Sequence, residues 1–231
     1  MRVSASRIGR EQTPVAIIND AVADPRQAVE MAAALAPFPP IDRNYYPGQR
    51  RMIRRDEPAH AYTATICNAV AQVMFDVFGV GRFHVKESSF SIVTQTPETT
   101  QLIQRVPHFD TVDPTDYAVL HYLTEPPQGG TAFYRHRRTG YERLTQPRYD
   151  AYLAALDQDL AEFGPPAPAY ITQSSPAFEQ IGRCDGLFNR IVIYQGALLH
   201  CAEIAPGFAF DTDPRKGRLT GNIFIRALPP G

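Results

Sequence analysis

Three short segments carry residues whose types and spacing can do chemistry. The first is VPHFDT at 106–111. If it is a strand, residues two apart point to the same face, so His108 and Asp110 set an imidazole beside a carboxylate and Phe109 faces the other way. Taken alone this pair is a weak signal, because a chain with 6 histidines and 24 acidic residues produces it by chance. The second segment is NRIVIYQGALLHCAEI at 189–204, an apolar strand that reaches Gly196, turns, and starts another strand carrying His200. A histidine in such an apolar run is ordinarily a core residue satisfied by one hydrogen bond. Brought beside His108 and Asp110, it instead completes a face of two imidazoles and one carboxylate. That ligand set leaves positions open on the metal and is characteristic of non-haem Fe(II) oxygenases.

The third segment is GRLTGNIFI at 217–225. Alternation puts Arg218, Thr220 and Asn222 on one face and Leu219, Gly221 and Ile223 on the other. An arginine turned inward beside a hydroxyl needs an anion, since an unpaired buried charge is costly and a guanidinium grips a carboxylate through two parallel hydrogen bonds. An internal ion pair to an Asp or Glu is the plain alternative.

Other charged and polar residues read as structural or as surface. Arg50, Arg51, Arg54 and Arg55 form a basic cluster beside YPG at 46–48. It reads as solvated surface, with a rim that attracts an anionic substrate as the alternative. RHRR at 135–138 admits the same pair of readings, and His136 is a candidate near-site residue. His60, His84 and His121 are expected to be structural. Cys201 follows His200 directly, so alternation aims it away from the metal.

These segments need a scaffold of short elements. Twenty-one prolines punctuate the chain, which disfavours long helices. Asp24-Pro25 predicts a helix start, with Asp as the cap and Pro in the first turn. Residues 41–56, with Tyr45, Tyr46, Pro47 and Gly48, read as a loop. A second helix is expected from about Pro58 to Phe78, with Ile66, Val70, Val73, Met74 and Val77 on one stripe and Gly79 as its stop. Phe83, Val85, Phe90 and Ile92 stand at the strand period, and strands are expected at 105–112, 117–123, 131–135, 187–194, 197–204 and 218–228. Between them TQPRYDAYLAALDQDLAEFG predicts a helix over about 145–163, capped by Thr145, with Tyr149, Leu153, Leu156, Leu160 and Phe163 as its core stripe. The fold class is α+β with a β-sandwich or jelly roll at its centre. One domain is expected over 1–231, with 1–80 as helical support and 81–231 as the β core.

Composition narrows the setting. Hydrophobic residues are 44% and the net charge is −1, so nothing draws the whole molecule to nucleic acid. No apolar run approaches the ~20 residues of a membrane-spanning helix, and the N-terminus does not read as a secretory signal. Cys67, Cys184 and Cys201 form neither a CxxC pair nor a disulfide framework, and a cytoplasmic setting is expected.

In order, the chain presents His-x-Asp, YLT at 122–124, GGTAF at 129–133, a strand–Gly–His unit, and an arginine strand. Over roughly 85–228 this order resembles the Fe(II)/2-oxoglutarate-dependent dioxygenase superfamily, nearest its prolyl-4-hydroxylase-like branch. It is also similar to an uncharacterised bacterial family with YPG, PHFD and GGTAFYRH segments. The resemblance implies a double-stranded β-helix and makes His108, Asp110 and His200 the iron ligands. It makes Arg218 the grip on the distal carboxylate of 2-oxoglutarate, with Thr220 and Tyr122 as hydroxyl partners. The 18 residues from His200 to Arg218 exceed the family's usual gap, and APGFAFDTDPRKG at 205–217 is expected to be an inserted loop. If Arg218 is only an ion-pair partner, Arg215 and Arg226 are the nearest substitutes. The implied chemistry couples O2 and oxidative decarboxylation of 2-oxoglutarate, giving succinate and CO2, to attack on a substrate C–H bond. Hydroxylation of a small molecule or peptide is the expected outcome, and Asp110 in the carboxylate position argues against halogenation. A cupin-type metalloenzyme without 2-oxoglutarate is disfavoured, because no His-x-His is present. A non-catalytic jelly-roll binding module is the other alternative.

Overall fold

The computed structural model describes residues 1–41 and 46–229. Among them are ten strands: β1 (Arg2–Ile8), β2 (Thr13–Asn19), β3 (Gly48–Met52), β4 (Phe83–Val93), β5 (Asp116–Tyr122), β6 (Gly130–His136), β7 (Phe178–Asp185), β8 (Arg190–Gln195), β9 (His200–Glu203) and β10 (Leu219–Ala227). Three α-helices accompany them: α1 (Pro25–Ala34), α2 (His60–Phe78) and α3 (Tyr149–Phe163). The strands form a seven-stranded sheet, β1-β2-β8-β5-β10-β4-β3, and a three-stranded sheet, β7-β6-β9. Every pairing is antiparallel, and the chain is α+β.

Alternation divides the large sheet into two faces. One face presents Phe90, Ile92, Val119, Ile193, Leu219 and Ile223 to α1 and α2, in a core with Ile66, Val70 and Met74. Each such buried side chain contributes about 1.5–3 kcal/mol relative to exposure. The other face presents Ala118, Tyr122, Val192 and Tyr194 to Phe133 and Cys184 of the small sheet. The inter-sheet space is therefore apolar at the β2–β8–β5 end, and it turns polar toward β10, β4 and β3.

The helices follow their local signals, with one exception. Asp24 accepts from the Gln27 amide and Pro25 opens α1. α2 buries Ile66, Val70, Val73 and Met74 and stops at Gly79, whose φ of 68° suits a residue without Cβ. α3 departs from its expected stripe: Leu153, Leu160 and Phe163 are exposed, while Tyr152, Ala155 and Asp159 are buried. Asp159 accepts from Arg138 and pairs with His136 at 2.6 Å in each case, so a compensated acid occupies the packed face. Thr145 makes no capping bond; it precedes a 3₁₀ turn at Gln146–Arg148 that leads into α3.

The strand expectations change in four places. Residues 1–80 supply more than helical support, because β1, β2 and β3 join the large sheet. Of the loop expected at 41–56, residues 42–45 lie outside the described residues, and Gly48–Met52 is β3. Residues 105–112 are not a strand; the segment meets β9 through a single bridge, His108 to His200. β7 was not anticipated, because FEQIGRCD lacks apolar alternation.

Candidate metal centre and its cleft

Backbone pairing sets His108, Asp110 and His200 side by side. The His108 and His200 amides each donate to the other's carbonyl, at 2.9 and 2.8 Å, and the Asp110 amide donates to the Gly196 carbonyl at 2.8 Å. Phe109 points away, edge-on to Tyr149 and Tyr152, so the alternation read from the sequence holds without a regular strand. One ligand atom from each of His108, Asp110 and His200 lies within 4.8 Å of the other two. Both Nε2 atoms face the carboxylate, His108 at 3.9 Å from Oδ1 and His200 at 3.6 Å from Oδ2.

Local bonds prepare these groups as ligands. His200 Nδ1 lies 2.7 Å from the Leu198 carbonyl. A carbonyl only accepts, so Nδ1 is protonated and Nε2 is the ring nitrogen left to face the cluster. Burial first, and then the charges of His200 and Arg50, hold His108 well below the ordinary histidine value, which keeps its imidazole neutral. Burial pushes the Asp110 carboxyl up, against the pull of His200 and Arg50. A divalent cation among the three would relieve that cost. Two imidazole nitrogens and one carboxylate oxygen, gathered on one side of a cleft, fit iron(II) and neighbouring first-row metals.

The cluster opens into a cleft that is partly open to solvent. Its floor is the polar end of the large sheet. Arg50, Ser91, Thr220 and Tyr122 are successive partners across β3, β4, β10 and β5, and so share one face. Thr220 and Asn222 line the cleft as alternation predicted, and so does Arg218. Arg218 is only 3% exposed. Its Nε donates to the Gln128 carbonyl at 3.0 Å and one terminal nitrogen to the Gly130 carbonyl at 2.6 Å. Among the described residues no carboxylate lies within ion-pairing distance of it, which disfavours the internal ion pair. Arg215 and Arg226 are engaged elsewhere, with Glu30 and with Asp113 and Asp116.

Tyr122 sits one layer back. Its hydroxyl bonds Thr131 Oγ1 at 2.6 Å, and it is Thr131 that lines the cleft. The stretch at 205–217 is irregular chain between β9 and β10, and its Phe210 stacks on Tyr170 at the cleft wall.

The basic clusters follow their surface reading only in part: Arg54, Arg55, Arg137 and Arg138 are exposed. Arg50 enters the cleft, whereas Arg51 turns to Glu57 at 2.8 Å. The signal for this was the strand alternation of β3, hidden because GQRRM has no apolar pattern. Arg135 is buried between Glu142 and Glu179. His136 is fully buried between Thr139 and Asp159, so it is structural and not a near-site residue. His121 bridges Tyr62 and Asn189 in the core, as a structural histidine does. The Cys201 thiol faces the Ile171 carbonyl, away from the cluster.

The fold has solved relatives. HygX from Streptomyces hygroscopicus, with nickel, 2-oxoglutarate and hygromycin B bound, aligns at a TM-score of 0.51 and 14% identity, over 95% of this chain and 87% of HygX. AviO1 from Streptomyces viridochromogenes Tue57 aligns at a TM-score of 0.51 and 12% identity, over 94% of this chain and 90% of AviO1. At such identities the likeness is one of fold. No curated protein matches the sequence. A family model does: DUF6445, a family of unknown function, matches residues 1–225, and the chain belongs to that family.

Proposed function

We propose that this protein is a non-haem iron(II) oxygenase that uses 2-oxoglutarate and O2 and hydroxylates a small-molecule or peptide substrate. The observation that carries the reading is one cleft with a His-Asp-His cluster and an arginine, Arg218, that has no carboxylate partner among the described residues. The strand order supports a double-stranded β-helix core. β8-β5-β10-β4 forms one wall, and β7-β6-β9, extended by the His108 bridge, forms the other.

His108, Asp110 and His200 would hold the metal. When bound, iron(II) supplies O2 activation coupled to decarboxylation of 2-oxoglutarate to succinate and CO2, with oxidation of a substrate C–H bond. The chain's own work is positioning. Leu198 fixes the His200 tautomer, and the His108–His200 backbone bonds hold both rings in register. Arg218, with its Nε and one terminal nitrogen anchored on carbonyls, would present its remaining donors to the distal carboxylate of the co-substrate. Thr220 adds a hydroxyl beside it, and Tyr122 acts through Thr131.

The test is an anaerobic titration with Fe(II) and then 2-oxoglutarate, watched for the weak visible charge-transfer band of the chelate. One iron per chain and a saturable band are expected. His108→Ala, Asp110→Ala and His200→Ala each lose tight iron binding. Wild-type iron stoichiometry in all three variants would refute the assignment.

A further inference from the structure

The cleft holds a second guanidinium, Arg50, that the proposed reaction does not use. It comes from an edge strand of the large sheet, with a side chain 18% exposed. Its Nε donates to Ser91 Oγ at 3.0 Å. The charge lies over the rings of Tyr46, at 5.3 Å, and Phe224, at 5.9 Å. These contacts fix the guanidinium plane. The only acid paired with it among the described residues is Glu87, a third exposed and 3.4 Å from one terminal nitrogen. That is longer than the roughly 2.7–2.9 Å of a well-made charged hydrogen bond. A fork facing the cleft is thus left for an incoming anion.

The two arginines are held by different parts of the fold. Arg218 is tied to the Gln128–Gly130 turn, whereas Arg50 lies over Phe224. Arg50 lines the same cleft as His108, Asp110 and His200. Tyr46, Tyr170 and Phe224 give the cleft aromatic walls.

We infer that Arg50 is a substrate-anchoring residue that seats a carboxylate of the oxidised substrate beside the metal cluster, so that the substrates are small carboxylic acids with an apolar or aromatic body. This rests on the oxygenase reading above. It adds the substrate class and a specificity-determining residue.

Benzoate, with benzamide as its uncharged isostere, is a suitable probe pair. The protein is loaded with Mn(II) and saturated with 2-oxoglutarate, and relaxation of the probe ring protons by the metal is measured by NMR. Benzoate should be relaxed and benzamide at least tenfold less. Arg50→Gln should remove the benzoate effect by tenfold or more, and Arg50→Lys, which keeps charge without the fork, should retain part of it. The affinity of Arg50→Gln for 2-oxoglutarate should stay within about threefold of wild type, while Arg218→Gln loses far more. Equal relaxation by both probes, or by neither, overturns the inference. So does displacement of 2-oxoglutarate by benzoate, or a loss of 2-oxoglutarate binding in Arg50→Gln as large as in Arg218→Gln. Either result would make Arg50 part of the co-substrate seat. If the wild type binds neither Mn(II) nor 2-oxoglutarate, the oxygenase reading fails. The preference for benzoate and its dependence on Arg50 are then still decided by saturation-transfer NMR on the metal-free protein.

Discussion

Replacing Arg218 separates a co-substrate grip from a purely structural clamp. The side chain is 3% exposed and donates to two carbonyls, at 3.0 and 2.6 Å. Arg218→Ala strands both carbonyls, and each buried unsatisfied acceptor costs about 1–3 kcal/mol. A combined loss of about 2 kcal/mol or more lowers Tm by roughly 4–8 °C for a chain of this size. The same substitution removes a buried charge-assisted contact to the distal carboxylate. That costs on the order of 2–5 kcal/mol, or roughly 30- to several-thousand-fold in 2-oxoglutarate affinity. Arg218→Lys keeps a charge but cannot serve two carbonyls and a carboxylate at once, so it falls between. The assay is titration of the anaerobic iron chelate with 2-oxoglutarate and, in parallel, with 2-oxobutyrate, which lacks the distal carboxylate. Wild type should strongly prefer 2-oxoglutarate, and Arg218→Ala should bind the two alike while still taking up iron. If Arg218→Ala melts lower yet keeps the wild-type preference, Arg218 only clamps the Gln128–Gly130 turn and the reasoning is refuted.

Two further outcomes follow from backbone and core. Gly129→Ala should destabilise by at least about 2–3 kcal/mol in urea unfolding, because φ is +79° and a Cβ would lie 1.9 Å from the Glu203 carbonyl oxygen; an unchanged midpoint would contradict the described turn. His121 should make stability fall with acid. Burial holds its folded value at about 4 against an ordinary 6.5. Its neutral form is favoured in the fold, so its contribution is complete above pH 6.5 and is lost as pH drops from 6.5 toward 4. The change is roughly 3 kcal/mol over that window. His121→Gln should flatten the slope of unfolding free energy against pH by that amount, and an unchanged slope would count against a buried neutral histidine.

Short-range pattern determined a good part of this protein. Alternation across His108-Phe109-Asp110 and across Arg218–Ile223 assigned faces correctly, because side-chain direction in extended chain depends only on local geometry. The Asp24-Pro25 start of α1 and the Gly79 stop of α2 were equally local, each a matter of capping chemistry within one turn. The grouping of the cluster came from motif order, which ties His200 to a pair some ninety residues earlier.

Tertiary structure decided what local pattern could not encode. Residues 1–19 carried no recognised strand signal, yet β1 and β2 join the sheet because β8 offers an edge for β2 to pair with. Leu153, Leu160 and Phe163 lie outward because the face of α3 that meets β6 is chosen by Asp159 with His136 and Arg138, and an apolar count is blind to a compensated charge. Arg50 and Arg51 look identical in sequence, and only the pairing of β3 with β4 sends one into the cleft and the other to Glu57. In each case the deciding partner lies far away in the chain, and the free energy that chooses the face belongs to the pair, so it exists only once the fold has brought the two together.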